Sequence, residues 1–247
     1  MKIKKLLLFL FVLFLLGLLS FYYPKLTGKA VEKTEDYKPE PAFAIKIIDG
    51  DTIESDIGKI RLLGINTPEK GKPYSKEALN FLKQIENKSL IVLRDKEDLD
   101  KYGRKLRYIF YGNQFINAEI LQKGLATSFM LNGLQYKEKL KKAEDYARAN
   151  GIELWEKSAD ICVNCIKLSE LNSKEEFFVL RNECDFDCEL SGWVVKDDAN
   201  HFFKINSLNS GESESYKSEA SIWNDNEDRF FLRDSKGKLV LFYEYSS

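Results

Sequence analysis

The 247-residue sequence contains a single histidine, His201, and only four cysteines, all between Cys162 and Cys188. This scarcity excludes most zinc sites and most catalytic schemes that pair histidine with serine or cysteine. Lysine plus arginine (38) and aspartate plus glutamate (39) nearly cancel. The sequence therefore excludes a protein held on nucleic acid by bulk positive charge, and any such site must be local. Enzymatic chemistry in this chain would rest on carboxylates, arginines and a hard metal ion.

One long apolar run is present, at the N terminus. Three lysines within the first five residues precede a stretch from Leu6 to Tyr23. At a helical rise of about 1.5 Å per residue this stretch spans roughly 27 Å, close to the hydrocarbon core of a bilayer. The positive flank should stay cytoplasmic. We predict a signal anchor over residues 1–27, with cleavage as a signal peptide as the alternative, and the remaining chain on the extracellular face of the cell membrane or secreted.

Composition and periodicity divide the rest of the chain into three parts. Residues 28–41 combine charge and proline with little apolar content, which is typical of a solvated linker. Residues 42–158 give the order β-β-β-α-β-β-α-α, which favours a five-stranded, oligonucleotide-binding-type barrel with about three helices over a parallel sheet. Residues 162–247 alternate short aromatic and β-branched runs with turns, which indicates an immunoglobulin-like β-sandwich. The expected fold class is β-rich α+β.

Four short segments of the barrel region supply carboxylates and arginines. Taken singly, each is typical of a turn or a charged loop, since Asp-Gly is a common hairpin signal. Taken together, they provide what phosphodiester cleavage requires: charge for the non-bridging oxygens, a group that positions water, and a group that stabilises the leaving oxygen. The segments are Asp49–Thr52, Arg61–Ile65, Asn66–Glu69 and Asp100–Arg104.

In this order and spacing, the segments resemble the micrococcal nuclease (thermonuclease) family. The resemblance covers residues 42–158 and includes the GLA at Gly124–Ala126 and the closing IELWEKS. It implies an oligonucleotide-binding barrel and a hydrolase: a phosphodiesterase, or endonuclease, that depends on calcium. The implied substrate is DNA, RNA or both, and the implied product carries a 3′-phosphate.

The resemblance also implies a calcium site. Asp51, the side chain of residue 66 and the carbonyl of Thr67 would bind Ca²⁺, and Glu69 would orient or deprotonate the attacking water. Oxygen ligands suit a hard cation of this kind. The family's usual second aspartate is Asn66 here, so the site keeps an oxygen but loses a negative charge, and we expect weaker calcium binding.

Phosphate and substrate contacts are implied in the same way. Arg61 and Arg104 would bind the phosphate, a role that suits the bidentate guanidinium group. Lys101 and Tyr102 would contact the substrate. Where the family often presents tyrosines that pack on a base, this chain has Thr-Ser-Phe-Met-Leu, and Phe129 is either a substitute or part of the core.

The C-terminal region resembles the lamin-tail domain. The similarity lies in LSGWVVKD at Leu190–Asp197 and in the segment Ile222–Val240. Alternate strand positions must fill a sandwich, so we expect Trp193 to be a core residue. His201 stands in no motif and is expected to be structural.

The four cysteines form the pattern Cys162-x2-Cys165 and Cys184-x3-Cys188. Such spacing suits either a four-thiolate zinc site or two disulfides. If residues 165–184 form a hairpin that turns near Ser173, the pairs 162–188 and 165–184 come within disulfide range. Export would favour these two disulfides.

Two functions of different class remain. The first is an extracytoplasmic calcium-dependent nuclease that acts on DNA, RNA or both. The second is an inactive barrel that binds nucleic acid or protein on a surface-anchored scaffold. Asp51, Glu69, Arg61 and Arg104 are all present and favour the enzyme. Nothing in the sequence indicates an obligate protein partner.

Overall fold

The structure is a computed structural model that describes residues 37–130 and 132–246. The signal anchor expected at 1–27 and most of the expected linker lie outside the described residues. Between residues 37 and 246, none of the described helices has the length and apolar character of a membrane span. The first strand begins at Glu40, so it takes in the last two residues of the expected linker.

The barrel region contains eight strands and three helices. Helix α1 covers Ser75–Leu82, α2 covers Ile116–Gln122 and α3 covers Lys137–Ala149. The strands are β1 (Glu40–Ile47), β2 (Thr52–Ser55), β3 (Gly58–Leu62), β4 (Ile65–Asn66), β5 (Ser89–Leu93), β6 (Lys105–Tyr111), β7 (Gln114–Phe115) and β8 (Thr127–Ser128).

A parallel pairing closes the barrel. The sheet runs in the order β3-β2-β1-β5-β6-β7, and β3 also pairs with β6. In that parallel pair, Ile60 lies opposite Lys105 and Leu62 opposite Arg107. The pairing closes β1, β2, β3, β5 and β6 into a barrel, and β7 extends the sheet beside β6. The prediction of a five-stranded barrel with three helices is confirmed.

Strand β3 shows how the barrel core and its outer surface are separated. Ile60 and Leu62 are fully buried in the core, whereas Lys59 and Arg61 point away from it. Successive side chains of a strand lie on opposite faces, so a buried Ile60 and Leu62 require Arg61 to lie outside. The alternation that fills the core therefore also places Arg61 on the barrel surface.

The C-terminal region consists of two sheets that share one core. One sheet has the order β13-β10-β9 and the other β12-β11-β14-β15. Phe178 of the first packs against Phe230 of the second with ring centroids 5.2 Å apart, and Trp193 is buried in the same cluster. The strands are β9 (Ile166–Asn172), β10 (Phe177–Asn182), β11 (Val194–Lys196), β12 (Phe202–Lys204), β13 (Ser213–Lys217), β14 (Glu227–Arg233) and β15 (Leu239–Ser246).

The barrel and the sandwich pack directly on each other, and the described chain from Tyr37 onward belongs to one compact unit. Trp155 of the barrel region is 1% exposed and packs on Phe231 and Phe242, with centroid distances of 5.9 and 5.3 Å. The backbone N–H of Ser158 donates to the carbonyl of Leu239. The boundary between the two regions is therefore part of the hydrophobic core and not a solvated joint.

Two disulfides lie at the start of the sandwich. Cys162 is bonded to Cys188 and Cys165 to Cys184, with Cα–Cα distances of 5.9 and 5.2 Å. Strands β9 and β10 form the antiparallel hairpin that brings these positions together. The bridges join the segment after the barrel to the first hairpin of the sandwich.

Reduction of the disulfides should destabilise the sandwich. The two bridges join residues 26 and 19 positions apart in the sequence. Closing a loop of that length in the unfolded chain contributes about 3 kcal/mol. We expect the free energy of unfolding in urea, followed by tryptophan fluorescence, to fall by that amount per bridge when a reductant is added. A variant with all four cysteines replaced by serine is the control, since it should not respond to the reductant. Free thiols with one equivalent of bound zinc in the untreated protein would contradict the pairing.

Candidate active site

The four acidic and basic segments of the barrel meet at one cleft of about 1010 Å³. Loops that leave the barrel form most of its wall, and the sandwich contributes the rest. All eight non-cysteine residues expected at the site line this cleft: Asp51, Arg61, Asn66, Thr67, Glu69, Lys101, Tyr102 and Arg104.

A tight turn before β2 places the first carboxylate. The backbone N–H of Asp51 donates to Asp49 Oδ1 at 3.0 Å. A Cβ atom on Gly50 would lie 2.7 Å from the Cβ of Ala78 and 2.8 Å from Thr67 Oγ1, so only glycine allows this close approach. Gly50 thereby brings Asp51 against the loop that carries Thr67.

Asp51 is 7% exposed and its carboxylate is held on both oxygens. Oδ2 accepts from the backbone N–H and the hydroxyl of Thr67 at 3.2 and 2.8 Å. Oδ1 accepts from the Thr52 hydroxyl at 3.1 Å and lies 3.2 Å from Arg61 Nε. Burial first and then repulsion from Asp51 raise the pKa of the neighbouring Asp49 carboxyl. Two acidic groups thus lie together in a partly buried position.

Arg61 joins the carboxylate to the next loop. Its Nη2 donates to Asn66 Oδ1 at 3.1 Å, and its Nη1 donates to the carbonyl of Leu62 at 2.7 Å. Arg61 therefore contacts both side chains expected to bind calcium, Asp51 and Asn66.

Arg104 is positioned by a charged turn on another wall of the cleft. Its Nε donates to Asp100 Oδ2 at 2.7 Å and its Nη1 donates to Thr52 Oγ1 at 3.0 Å. Asp100 Oδ1 also accepts from the backbone N–H groups of Tyr102 and Arg104, both at 2.9 Å. Partial burial opposes ionisation, but the hydrogen bonds from Arg104 and Tyr102 lower the pKa of Asp100. Asp100 and Thr52 belong to the four acidic and basic segments, but the resemblance implies no role for either of them.

The rim of the cleft is apolar and exposed. Tyr102 and Met130 are each 72% exposed, and Phe129 is half-buried at the same wall. Arg104 lies 5.5 Å and Lys101 5.2 Å from the centroid of the Tyr102 ring. An aromatic ring beside cations suits stacking with a nucleobase near a bound phosphate.

The sandwich contributes a wall that sequence reasoning missed. The connection from β11 to β12 carries Asp198, whose carbonyl accepts from Asn66 Nδ2 at 2.9 Å. It also carries Asn200, whose Nδ2 donates to the carbonyl of Thr67 at 3.2 Å. Ala199 and His201 of the same connection line the cleft. From the sequence we expected His201 to be structural and the sandwich to be a separate domain. That expectation did not predict that His201 lines the cleft.

Arg229 anchors this connection on the barrel. It is 6% exposed, its Nη2 lies 2.6 Å from Asp198 Oδ1 and its Nη1 lies 2.8 Å from Glu144 Oε2 of α3. Glu144 accepts in turn from the backbone and hydroxyl of Ser128. Burial disfavours a charged Arg229, but Glu144 and Asp198 outweigh it and raise its pKa. Burial also raises the pKa of Asp198 to about 6, although Arg229 opposes that rise.

The barrel also matches known sequences. A family profile described as staphylococcal nuclease homologue covers residues 59–157. The thermonuclease of Staphylococcus intermedius is 32% identical over 151 residues, which are 56% of this chain and 90% of that protein. The chain belongs to the staphylococcal nuclease family.

Two further relatives of this chain are nucleases by name. The thermonuclease of Staphylococcus hyicus is 35% identical over 123 residues, 45% of this chain and 73% of that protein. A staphylococcal-like nuclease of Arabidopsis thaliana is 39% identical over 101 residues, 40% of this chain and 30% of that protein.

The donors of this staphylococcal nuclease site fit a hard divalent cation. Asp49, Asp51, Asn66 and Thr67 all line the cleft and all carry oxygen atoms that can bind a metal, and two of the four side chains are carboxylates. Oxygen-only ligands of this kind suit calcium rather than zinc. Of the residues expected to bind the metal, Asn66 and Thr67 also contact the sandwich.

The replacement Asn66→Asp should distinguish two roles of this residue, the bond to the sandwich and the expected binding of calcium. An aspartate keeps the acceptor for Arg61 but removes the donor to the Asp198 carbonyl, which should lower the free energy of unfolding in chelator by about 1–3 kcal/mol. It also adds a carboxylate, which should raise calcium affinity. Urea unfolding and calorimetric calcium titration measure the two effects.

Asn113→Asp is the matched control, because Asn113 is exposed in the β6–β7 turn. It should change neither quantity. If Asn66→Asp also leaves both quantities unchanged, residue 66 neither links the two regions nor binds calcium.

Proposed function

We propose that this chain is a calcium-dependent nuclease that hydrolyses phosphodiester bonds of DNA, RNA or both outside the cytoplasm and leaves 3′-phosphates. The observation that carries the proposal is the meeting of Asp51, Glu69, Arg61 and Arg104 at one cleft. Proteins of the same fold that only bind have no need of this acidic and basic set, so the cleft favours catalysis over the alternative of an inactive binding barrel on a surface scaffold.

The residues of the cleft have different roles in the reaction. Asp51, Asn66 and the Thr67 carbonyl would hold calcium, which supplies positive charge beside the non-bridging oxygens of the phosphate. Arg61 and Arg104 present guanidinium groups that bind these oxygens and stabilise the charge that develops in the transition state.

Glu69 acts as the general base. Its side chain is exposed at the cleft, where a carboxylate can orient a water molecule and accept its proton during attack on phosphorus. Asp100 holds Arg104 through the Nε bond, so the guanidinium keeps one direction without substrate. Such preorganisation lowers the cost of reaching the transition state.

The location and the second domain belong to the same proposal. Lysines before an apolar run and the two disulfides support a chain exported into an oxidising setting, anchored at the cell membrane or secreted. We infer that the sandwich is a lamin-tail-like domain. Its two facing sheets and the LSGWVVKD segment support this assignment.

The catalytic part of the proposal is tested by cleavage of DNA and RNA in calcium, in magnesium and in chelator. We expect cleavage in calcium only, and a loss of about 100-fold or more in Glu69→Gln and Arg104→Ala, because each variant removes one preorganised charge. Arg104→Lys should also be slow, since lysine lacks the planar fork. The product termini identify the 3′-phosphate.

Glu54→Gln is the matched control for Glu69→Gln, because Glu54 is exposed on β2 and does not line the cleft. It should cleave at the wild-type rate. Wild-type rates in chelator would contradict the calcium requirement, and binding without cleavage under all conditions would favour the inactive barrel.

The location is tested by protease added to intact cells that produce the full chain. Digestion of the barrel and sandwich before lysis is expected, because the positive N-terminal flank should remain inside. Protection until lysis would contradict this topology. A mature chain that begins near residue 30 would replace the anchor with a cleaved signal.

A further inference from the structure

His201, the single histidine of the sequence, lines the wall of the nuclease cleft. Its imidazole is half-exposed, and its Nδ1 lies 2.7 Å from Asp197 Oδ2. The backbone N–H of His201 donates to Asp197 Oδ1, also at 2.7 Å. The Asp197 side chain is 1% exposed, so a buried carboxylate holds a ring that itself faces solvent.

The segment around His201 is fixed from several sides. Lys196 Nζ donates to the Asp197 carbonyl and to Asn200 Oδ1, both at 3.0 Å. Asn200 adopts a positive φ of 66° and donates to the Thr67 carbonyl. Asp198, on the other side, is bound by Arg229. The connection that carries His201 is therefore bonded to Asn66 and Thr67, two expected metal ligands of the barrel, and His201 itself lines the same cleft.

The geometry leaves one ring nitrogen for a ligand. Because Asp197 takes the Nδ1 side, the opposite nitrogen, Nε2, is the one that can reach a molecule in the cleft. An imidazolium in this orientation donates from Nε2, and a phosphate oxygen is an acceptor that makes a charge-assisted hydrogen bond.

The charge of the cleft supports the same contact. Six acidic and five basic side chains line it, apart from His201. A polyanion that enters such a cleft depends on each donor that faces it, because the acidic residues repel its phosphates.

We propose that His201 is a substrate-binding residue that donates from Nε2 to a phosphate oxygen of the bound nucleic acid strand, with Asp197 as its positioning residue. The proposal rests on the proposed nuclease function and extends it. The sandwich would then form part of the substrate site and not only an attached domain.

Binding is measured without cleavage. The full chain carrying Glu69→Gln is titrated with a fluorescent single-stranded DNA oligonucleotide at pH 6. Adding His201→Ala should weaken binding about tenfold, the effect of one lost hydrogen bond to a charged group. The slope of log K against log salt should become shallower by about 0.7, the change for one lost phosphate contact on a single strand. His201→Gln, which keeps a donor without the charge, should recover part of the affinity but not the slope.

Lys204→Ala is the matched control, since Lys204 is an exposed cation on β12 and does not line the cleft. It should alter neither the affinity nor the slope. In the chain that keeps Glu69, His201→Ala should raise KM by a similar factor and leave kcat within about twofold, as expected for a contact made equally in the ground and transition states. Unchanged melting temperatures show that the variants fold.

The outcomes separate this proposal from the proposed function. If the wild-type chain cleaves the oligonucleotide while His201→Ala has unchanged affinity, salt slope and KM, the contact is refuted and the nuclease stands. If the wild-type chain neither binds nor cleaves in calcium, both proposals are refuted.

Discussion

The assembled cleft depends on the ion pairs that the buried guanidinium of Arg229 makes with one carboxylate of the barrel and one of the sandwich. The guanidinium lies between Glu144 of the barrel and Asp198 of the sandwich and also donates to the carbonyl of Ser128. Desolvation of one charge costs several kcal/mol, and the two carboxylates offset that cost only while both regions are docked. The ionic cluster therefore couples docking of the sandwich to the position of the Asp198–Asn200 connection. Because that connection bonds to Asn66 and Thr67, the order of the expected metal loop depends on a charge cluster outside the cleft.

The departure of this chain at position 66 has a physical reason in that arrangement. An aspartate offers only acceptors, whereas the asparagine amide both accepts from Arg61 and donates to the Asp198 carbonyl. A carboxylate facing that carbonyl would leave two acceptors together without a proton between them. Asn66 thus carries one negative charge less than an aspartate would and makes a bond between the barrel and the sandwich. The missing charge and the docking of the sandwich therefore depend on the same side chain.

The sequence predicts those features that arise from local patterns. Strand alternation and turn residues over short distances give the barrel and its order of elements, and a hairpin of adjacent strands brings the cysteine pairs together. The cleft residues follow from the resemblance, since Asp51, Arg61 and Arg104 stand at matching spacings. The Asn200–Thr67 and Asp198–Asn66 contacts join positions more than 130 residues apart. No local pattern encodes them, because Asp198 and Asn200 lie in a polar connection between two strands, and their partners lie in a distant part of the sequence.

The barrel face that packs on the sandwich carries residues that would be unfavourable in solvent. Trp155 is almost fully buried against Phe231 and Phe242, and Glu144 is 5% exposed beside Arg229. Removal of the sandwich would expose a tryptophan and leave Glu144 and Ser128 without the guanidinium, as well as the Thr67 carbonyl without its donor. These costs add in the same direction, since burial of Trp155 and pairing of Glu144 are separate terms. The staphylococcal nuclease family profile matches residues 59–157, within the barrel region. In this chain the barrel and the sandwich share a core and a cleft wall. The smallest unit that keeps this cleft therefore includes both.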